Sequence, residues 1–247
     1  MDKIKIFSKS QFSLLWWSGT ISSFGDWATL FGSVALASYL GTEAGNSELT
    51  AIVPLIARIV PALLSSFAGL IADRYDKKMI MIFCDVIRMI FVMFLFFADN
   101  LYSIFLINFL SEIFSLIRQP SREAVVPEIV NKENLVKANS LFAIGTYATL
   151  PIASLALGVV SDWNSLELTN ETGNGWSGSI IFLFDTFTFM ASAILLYFLK
   201  NQNKNTLNKK PDVSFKNFKD GLDYFFRNKD IRNISISISF CLIGAGT

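Results

Sequence analysis

Histidine is missing from this chain, and cysteine occurs only twice, at Cys84 and Cys241, each inside a long apolar stretch. A zinc site and a disulfide framework are thereby both excluded as organising features, and no metal ligand set is expected. No nucleophile motif is present, and paired metal-binding side chains at a recognisable spacing are wanting, so the expectation is a protein that is not an enzyme. The run Gly173-Asn-Gly175-Trp-Ser-Gly178 has the formal spacing of a dinucleotide fingerprint. No predicted strand precedes it, and the phosphate-cradling strand-turn-helix context is absent. No cofactor is expected, nothing indicates a nucleic-acid partner, and no nucleotide-binding motif supports an ATP-driven pump.

Positive charge is missing from every second loop. Glu43, Glu48, Asp99, Asp162, Glu167 and Glu171 occupy the alternate loops without a Lys or Arg among them. The other loops carry Lys3, Lys5 and Lys9; Arg74, Lys77 and Lys78; Arg118, Arg122, Lys132 and Lys137; and nine more basic residues from Lys200 to Arg232. Basic residues are retained on the cytoplasmic side of a membrane, so the N-terminus and the loop beyond Lys200 are expected to be cytoplasmic.

What is abundant is apolar surface: 52% hydrophobic residues, 24 Phe and a mean hydropathy of +0.47. This exceeds what the core of a soluble domain consumes. A bilayer crossing takes about 20 apolar residues. Suitable runs fall at 13–39, 50–72, 78–97, 101–118, 136–160 and 179–199, with a seventh beginning near Ile231. They are too long, and alternate too little, for barrel strands. The fold class expected is therefore an all-α membrane protein in a cell inner (plasma) membrane. Its units are a six-helix transmembrane bundle over 1–199, a cytoplasmic linker over 200–230 and an incomplete seventh helix over 231–247. Within the linker, Phe215, Phe218, Leu222, Phe225 and Phe226 recur at helical spacing among charged residues, which predicts an amphipathic helix. Residues 1–39 are not read as a cleaved signal, because the apolar stretch is too long and contains Asp26. A short echo between Pro61 with Gly69-Leu-Ile-Ala-Asp73 and Pro151 with Gly158-Val-Val-Ser-Asp162 points to a three-helix unit repeated with inverted topology.

Between the second and third runs stands Gly69-Leu-Ile-Ala-Asp73-Arg74-Tyr-Asp76-Lys77-Lys78. In this position it resembles the signature loop of the major facilitator superfamily. The resemblance implies a gating loop of Gly69, Asp73, Arg74, Lys77 and Lys78 that latches one conformation, and a twelve-helix fold of which this chain supplies the N-terminal six-helix bundle. Five further segments resemble the enterobactin-exporter and macrolide-efflux branch: Ser23–Trp27, Arg58–Pro61, Asp85–Arg88, Arg118–Glu128 with Ala138-Asn139-Ser140, and Asp185–Phe189. That resemblance implies secondary active transport, with proton-coupled efflux of a small amphipathic molecule, a drug or siderophore, by alternating access. A lipid or nutrient transporter on the same scaffold, or a non-transporting receptor, is the alternative. The partners implied are a small-molecule substrate, the lipid bilayer and a missing C-terminal six-helix half, with a proton gradient as energy source. One departure from the branch is that Gly145, Pro151 and Gly158 are scattered along span five, where an adjacent Gly-Pro is usual.

An ionised side chain at the bilayer centre costs about 2.5–3.5 kcal/mol, so each needs a partner or a cavity. Helical rise puts Asp26 and Arg58 at similar depth, which pairs them as candidates for a proton and substrate pathway, with Glu112 a further member. Asp85 and Arg88 lie one turn apart and form, with Glu112, a candidate intramembrane cluster across spans three and four. Asp185 is read as nearer the outer surface and hydrated there.

Overall fold

The computed structural model describes residues 10–43, 50–62, 75–161 and 179–200, together with residues 227, 228 and 233. Gly69, Asp73, Arg74, the amphipathic segment 215–226 and Cys241 lie outside the described residues. The chain divides into two compact units, Met1–Asn208 and Lys209–Thr247; the helices described below belong to the first.

Among the described residues the secondary structure is helical. The elements are α1 (Ser10–Glu43), α2 (Val53–Ala62), α3 (Lys77–Leu95), α4 (Leu101–Ile129), a 3-10 turn (Lys132–Asn134), α5 (Leu135–Tyr147), α6 (Thr149–Ser161) and α7 (Ile180–Tyr197). Leu101–Ile129, Lys132–Val160 and Ile180–Tyr197 are long and apolar enough to cross a membrane by length and composition. At 34 residues, α1 reaches about 51 Å, well beyond a hydrocarbon layer of about 30 Å.

Local chemistry sets the ends. Asp76 caps α3 by accepting from the Met79 amide at 3.1 Å, and Asn100 caps α4 by accepting from the Ser103 amide at 2.8 Å. The fifth run is broken at Ala148 into α5 and α6, because Pro151 has no N–H to give the carbonyl four residues earlier. The fourth run continues past its expected end at residue 118 to Ile129, with Pro120 and Pro127 inside the helix. Arg118 is consequently a buried residue of a helix rather than part of a loop.

Helix α1 packs extensively on α7, and also on α5 and α6; α3 packs on α4 and α7, and α2 on α4. Two buried apolar clusters divide the bundle along its length. One holds Phe12, Leu15, Met81, Val126, Phe142 and Leu196; the other holds Ala28, Leu36, Leu95, Ile104, Ala153 and Phe182. The first draws on the starts of α1 and α3, on α5 and on the ends of α4 and α7, and the second on the ends of α1 and α3 and the starts of α4 and α7, so α4 and α7 run opposite to α1 and α3. Phe83, Phe94, Phe97, Phe187 and Tyr197 face outward, each more than half exposed. An apolar perimeter of this kind suits a lipid surround. Trp17 is exposed, whereas Trp16 turns inward and donates from Nε1 to the Leu141 carbonyl at 2.9 Å.

Candidate functional site

Between the two apolar clusters lies a polar belt. Its foundation is a stripe of small residues on α1: Ser18, Ser22, Gly25, Thr29, Gly32 and Ser33. A Cβ added at Gly25 would collide with the Asp185 carboxylate and the Thr188 hydroxyl, and one at Gly32 would lie 2.7 Å from Ile181 Cγ2. Only glycine permits α7 to approach α1 so closely at these two positions. That approach buries Asp185 completely. Its carboxylate accepts hydrogen bonds from Thr29 Oγ1 and from Thr188 Oγ1, the latter at 2.7 Å. The expectation of a hydrated Asp185 is corrected here: α1 covers it, and hydroxyl groups take the place of water.

The expected Asp26–Arg58 pair is also redrawn. The Asp26 carboxylate forms its ion pair with Arg88, and Arg58 instead donates from Nη2 to the Asp26 backbone carbonyl at 3.2 Å. Arg88 is buried, and its guanidinium lies over the Phe189 ring at 4.3 Å, a cation–π contact that ties α3 to α7. Glu112, half-buried on α4, lies within electrostatic reach of both Arg58 and Arg88.

Asp85 does not join Arg88, although one helical turn separates them. It faces α4 and α7, where Arg118 Nε stands 2.6 Å from Asp85 Oδ1, an ion pair whose geometry is off the N–H axis. Ser192 completes the arrangement, accepting from Arg118 Nη2 at 3.1 Å. Its single hydroxyl hydrogen has two acceptors, Asp85 Oδ2 at 2.7 Å and the Ser18 carbonyl at 3.0 Å. Asp85, Arg118, Ser192 and Ser18 thus lock α3, α4, α7 and α1 together. The expected Asp85–Arg88–Glu112 cluster resolves into two separate pairings, and Arg118, which the sequence reading assigned to a loop, is the member it missed.

At one end of the bundle, the two described lysines of the expected gating loop bind helix ends. Lys77 Nζ meets Glu128 Oε1 at 2.5 Å, and Lys78 Nζ donates to the Tyr197 carbonyl at 2.7 Å. A cation on the final carbonyls of α7 is favourably placed against that helix's dipole.

The belt therefore brings four carboxyl groups, Asp26, Asp85, Glu112 and Asp185, together with three guanidinium groups, Arg58, Arg88 and Arg118. One acid is in excess. Asp26 and Asp85 each have a guanidinium at ion-pair distance; among the described residues Glu112 and Asp185 have none, and the Asp185 carboxylate accepts from the Thr29 and Thr188 hydroxyls. Among the described residues no group of three or more Cys, Asp or Glu side chains is arranged to hold a metal ion.

Antiparallel apolar helices with buried ion pairs between them define a polytopic membrane bundle. A family model described as Major Facilitator Superfamily matches residues 15–247, and the chain belongs to that family. It is a multi-pass membrane protein of a family of transporters, and this membership separates it from enzymes. Similar curated proteins include the "Lysophospholipid transporter LplT" of Pectobacterium carotovorum subsp. carotovorum (strain PC1), 30% identical over 143 residues, covering 58% of this chain and 34% of the relative. The protein of the same name from Escherichia coli (strain SE11) is 27% identical over 161 residues, covering 65% and 39%. That of Cronobacter sakazakii (strain ATCC BAA-894) is 28% identical over 144 residues, covering 58% and 35%. The chain spans between a third and two-fifths of the length of these relatives. Their name is that of a lipid transporter, not of an enterobactin or macrolide exporter.

Proposed function

We propose that this chain forms the N-terminal half of a secondary active transporter that moves a lysophospholipid-like amphiphile across the bacterial inner membrane. The observation that carries the reading is the belt of buried ion pairs at mid-bundle, in a family whose members work by moving helical bundles against each other. Charges this costly to bury are kept in membranes where they serve a pathway. The relatives' name favours a lipid over a drug or siderophore. Export of such a small molecule is the second reading, favoured by the five segments, from Ser23–Trp27 to Asp185–Phe189, that resemble the efflux branch.

In this reading the N-terminus is cytoplasmic, in keeping with the one-sided basic residues. A second six-helix half completes the pathway, and Asp73 with Arg74 latches the two halves. Asp26, Arg58 and Glu112 line the route. A proton gradient supplies the energy, with Asp185 as the site that loads and releases the proton.

The test is translocation of a fluorescent lysophospholipid by the full-length protein in proteoliposomes, with and without an imposed pH gradient, against a panel of macrolides and siderophores. Lysophospholipid movement accelerated by the gradient, with acceleration lost in Asp185→Asn, is expected. Transport of a panel compound but no lysolipid would transfer the function to the second reading. Gradient-independent lysolipid movement would remove the proton and leave the substrate.

A further inference from the structure

Beyond Arg118, α4 runs alongside α5, and a cavity of about 470 Å³ opens between them. Gln119, Arg122, Glu123, Asn139, Phe142 and Thr146 are among its walls. The Arg122 guanidinium is held over the Phe142 ring at 5.2 Å. Its position is set from the other side by α1, where a Cβ added to Gly19 would stand 3.6 Å from Arg122 Nη1.

Arg122 differs from its neighbours on the polar belt. Arg88 and Arg118 each have a carboxylate at ion-pair distance; among the described residues Arg122 has none. An aromatic ring beneath a guanidinium satisfies its face and leaves its N–H edge available for two parallel bonds to an oxyanion. The next residue, Glu123, is exposed, its carboxylate accepts from Gln119 Nε2 at 3.2 Å, and among the described residues it too forms no ion pair. The same cavity therefore presents a cation and an anion that stand near each other without meeting at ion-pair distance. A ligand that satisfies both carries a negative and a positive group a few bonds apart.

We propose that this cavity binds a phosphate–amine zwitterion, the phosphate on Arg122 and the ammonium on Glu123, as in the head group of a phosphoethanolamine lysolipid. The proposal rests on the lipid reading above and deepens it by naming the head-group class. The Phe142 side of the cavity then receives the glycerol backbone, and the acyl chain leaves along the apolar perimeter.

The same chemistry exists in a lysolipid and in soluble glycerophosphoethanolamine, so binding of both is measured, with lysophosphatidylglycerol as the probe that has the phosphate but lacks the amine. Purified full-length protein in detergent is titrated with each radiolabelled ligand. Arg122→Gln is expected to weaken all three at least tenfold, and Arg122→Lys to weaken them less. Glu123→Gln is expected to weaken only the two amine-bearing ligands and to leave lysophosphatidylglycerol unchanged. Thermal unfolding of each variant in detergent confirms folding, and Arg122→Lys carries the test if Arg122→Gln does not fold. Unchanged lysolipid affinity in the Arg122 and Glu123 variants overturns the site while leaving the lipid reading intact. Binding of glycerophosphoethanolamine that depends on both residues, with no lysolipid binding, upholds the site and overturns the lipid reading. Equal losses for all three ligands in Glu123→Gln overturn the zwitterion.

Discussion

Replacing Arg118 with Met tests whether the Asp85–Arg118–Ser192 arrangement holds the bundle together. Asp85 has no exposed surface and Arg118 only 6%, so water cannot take the place of either partner. Removing the guanidinium leaves a fully buried carboxylate with the Ser192 hydroxyl as its donor, and breaking a buried pair in this way costs about 3–5 kcal/mol. A loss of that size lowers the folded-to-unfolded ratio by more than a hundredfold, at about 1.4 kcal/mol for each factor of ten. Asp85→Asn removes the charge but keeps the shape and a hydrogen-bonding group. Combined with Arg118→Met it should recover much of the loss, because no uncompensated charge is left. Unfolding of the four proteins of this cycle, full-length in mixed micelles with increasing denaturing detergent, gives the coupling directly. A coupling of at least about 2 kcal/mol is expected, within the range for side chains that share one network. Additive effects within about 0.5 kcal/mol, the behaviour of independent sites, would refute the reasoning.

Gly25→Val should prevent α1 and α7 from packing, with an overpacking cost of about 1–3 kcal/mol plus the displaced Asp185 hydrogen bonds; Gly158→Ala, which meets nothing within 4 Å, should be neutral or slightly stabilising. Comparing the monodisperse fraction of the two variants by size exclusion checks this, and equal losses would argue against a close α1–α7 seam. Asn100→Ala should lose the α4 cap and about 1 kcal/mol of stability, read from the same detergent unfolding, while Asn100→Ser keeps most of it.

The crossings at Leu101–Ile129, Lys132–Val160 and Ile180–Tyr197 were legible because apolar length is a one-dimensional property. The starts of α3 and α4 were legible for the same kind of reason, since Lys77 and Asn100 follow abrupt breaks in the apolar pattern. The end of α4 was hidden by two features that ordinarily mark an exit, the basic Arg118 and the prolines Pro120 and Pro127. Within a bundle, neighbouring helices can satisfy both the charge and the backbone carbonyls that a proline leaves unpaired. Depth along the membrane also follows from residue counting, which is why Asp26 and Arg58 do lie close together. Counting gives no direction around the helix axis, however, and direction decides that Asp26 reaches Arg88 while Asp85, a turn away from Arg88, reaches Arg118. The burial of Asp185 was the least accessible, because it depends on Gly25, 160 positions earlier and on another helix. A signal for it exists in the α1 stripe, where Gly25 and Gly32 fall seven residues apart on one face.

The partnership of α1 with the later helices has a consequence for the order in which the protein is made. Asp26 is synthesised 62 residues before Arg88, and Thr29 156 residues before Asp185. At about 5–20 residues per second on the ribosome, α1 waits roughly 3–12 s for its guanidinium and roughly 8–31 s for the helix that closes over its glycine face. During that interval its carboxylate and its row of hydroxyl groups must be sheltered by something other than the finished bundle, in the insertion machinery or at the edge of the bilayer. The first of the described helices therefore packs most extensively on the last of them, and nascent chains stopped between α3 and α7 are the species in which a membrane insertase or quality-control protease would meet exposed polar surface.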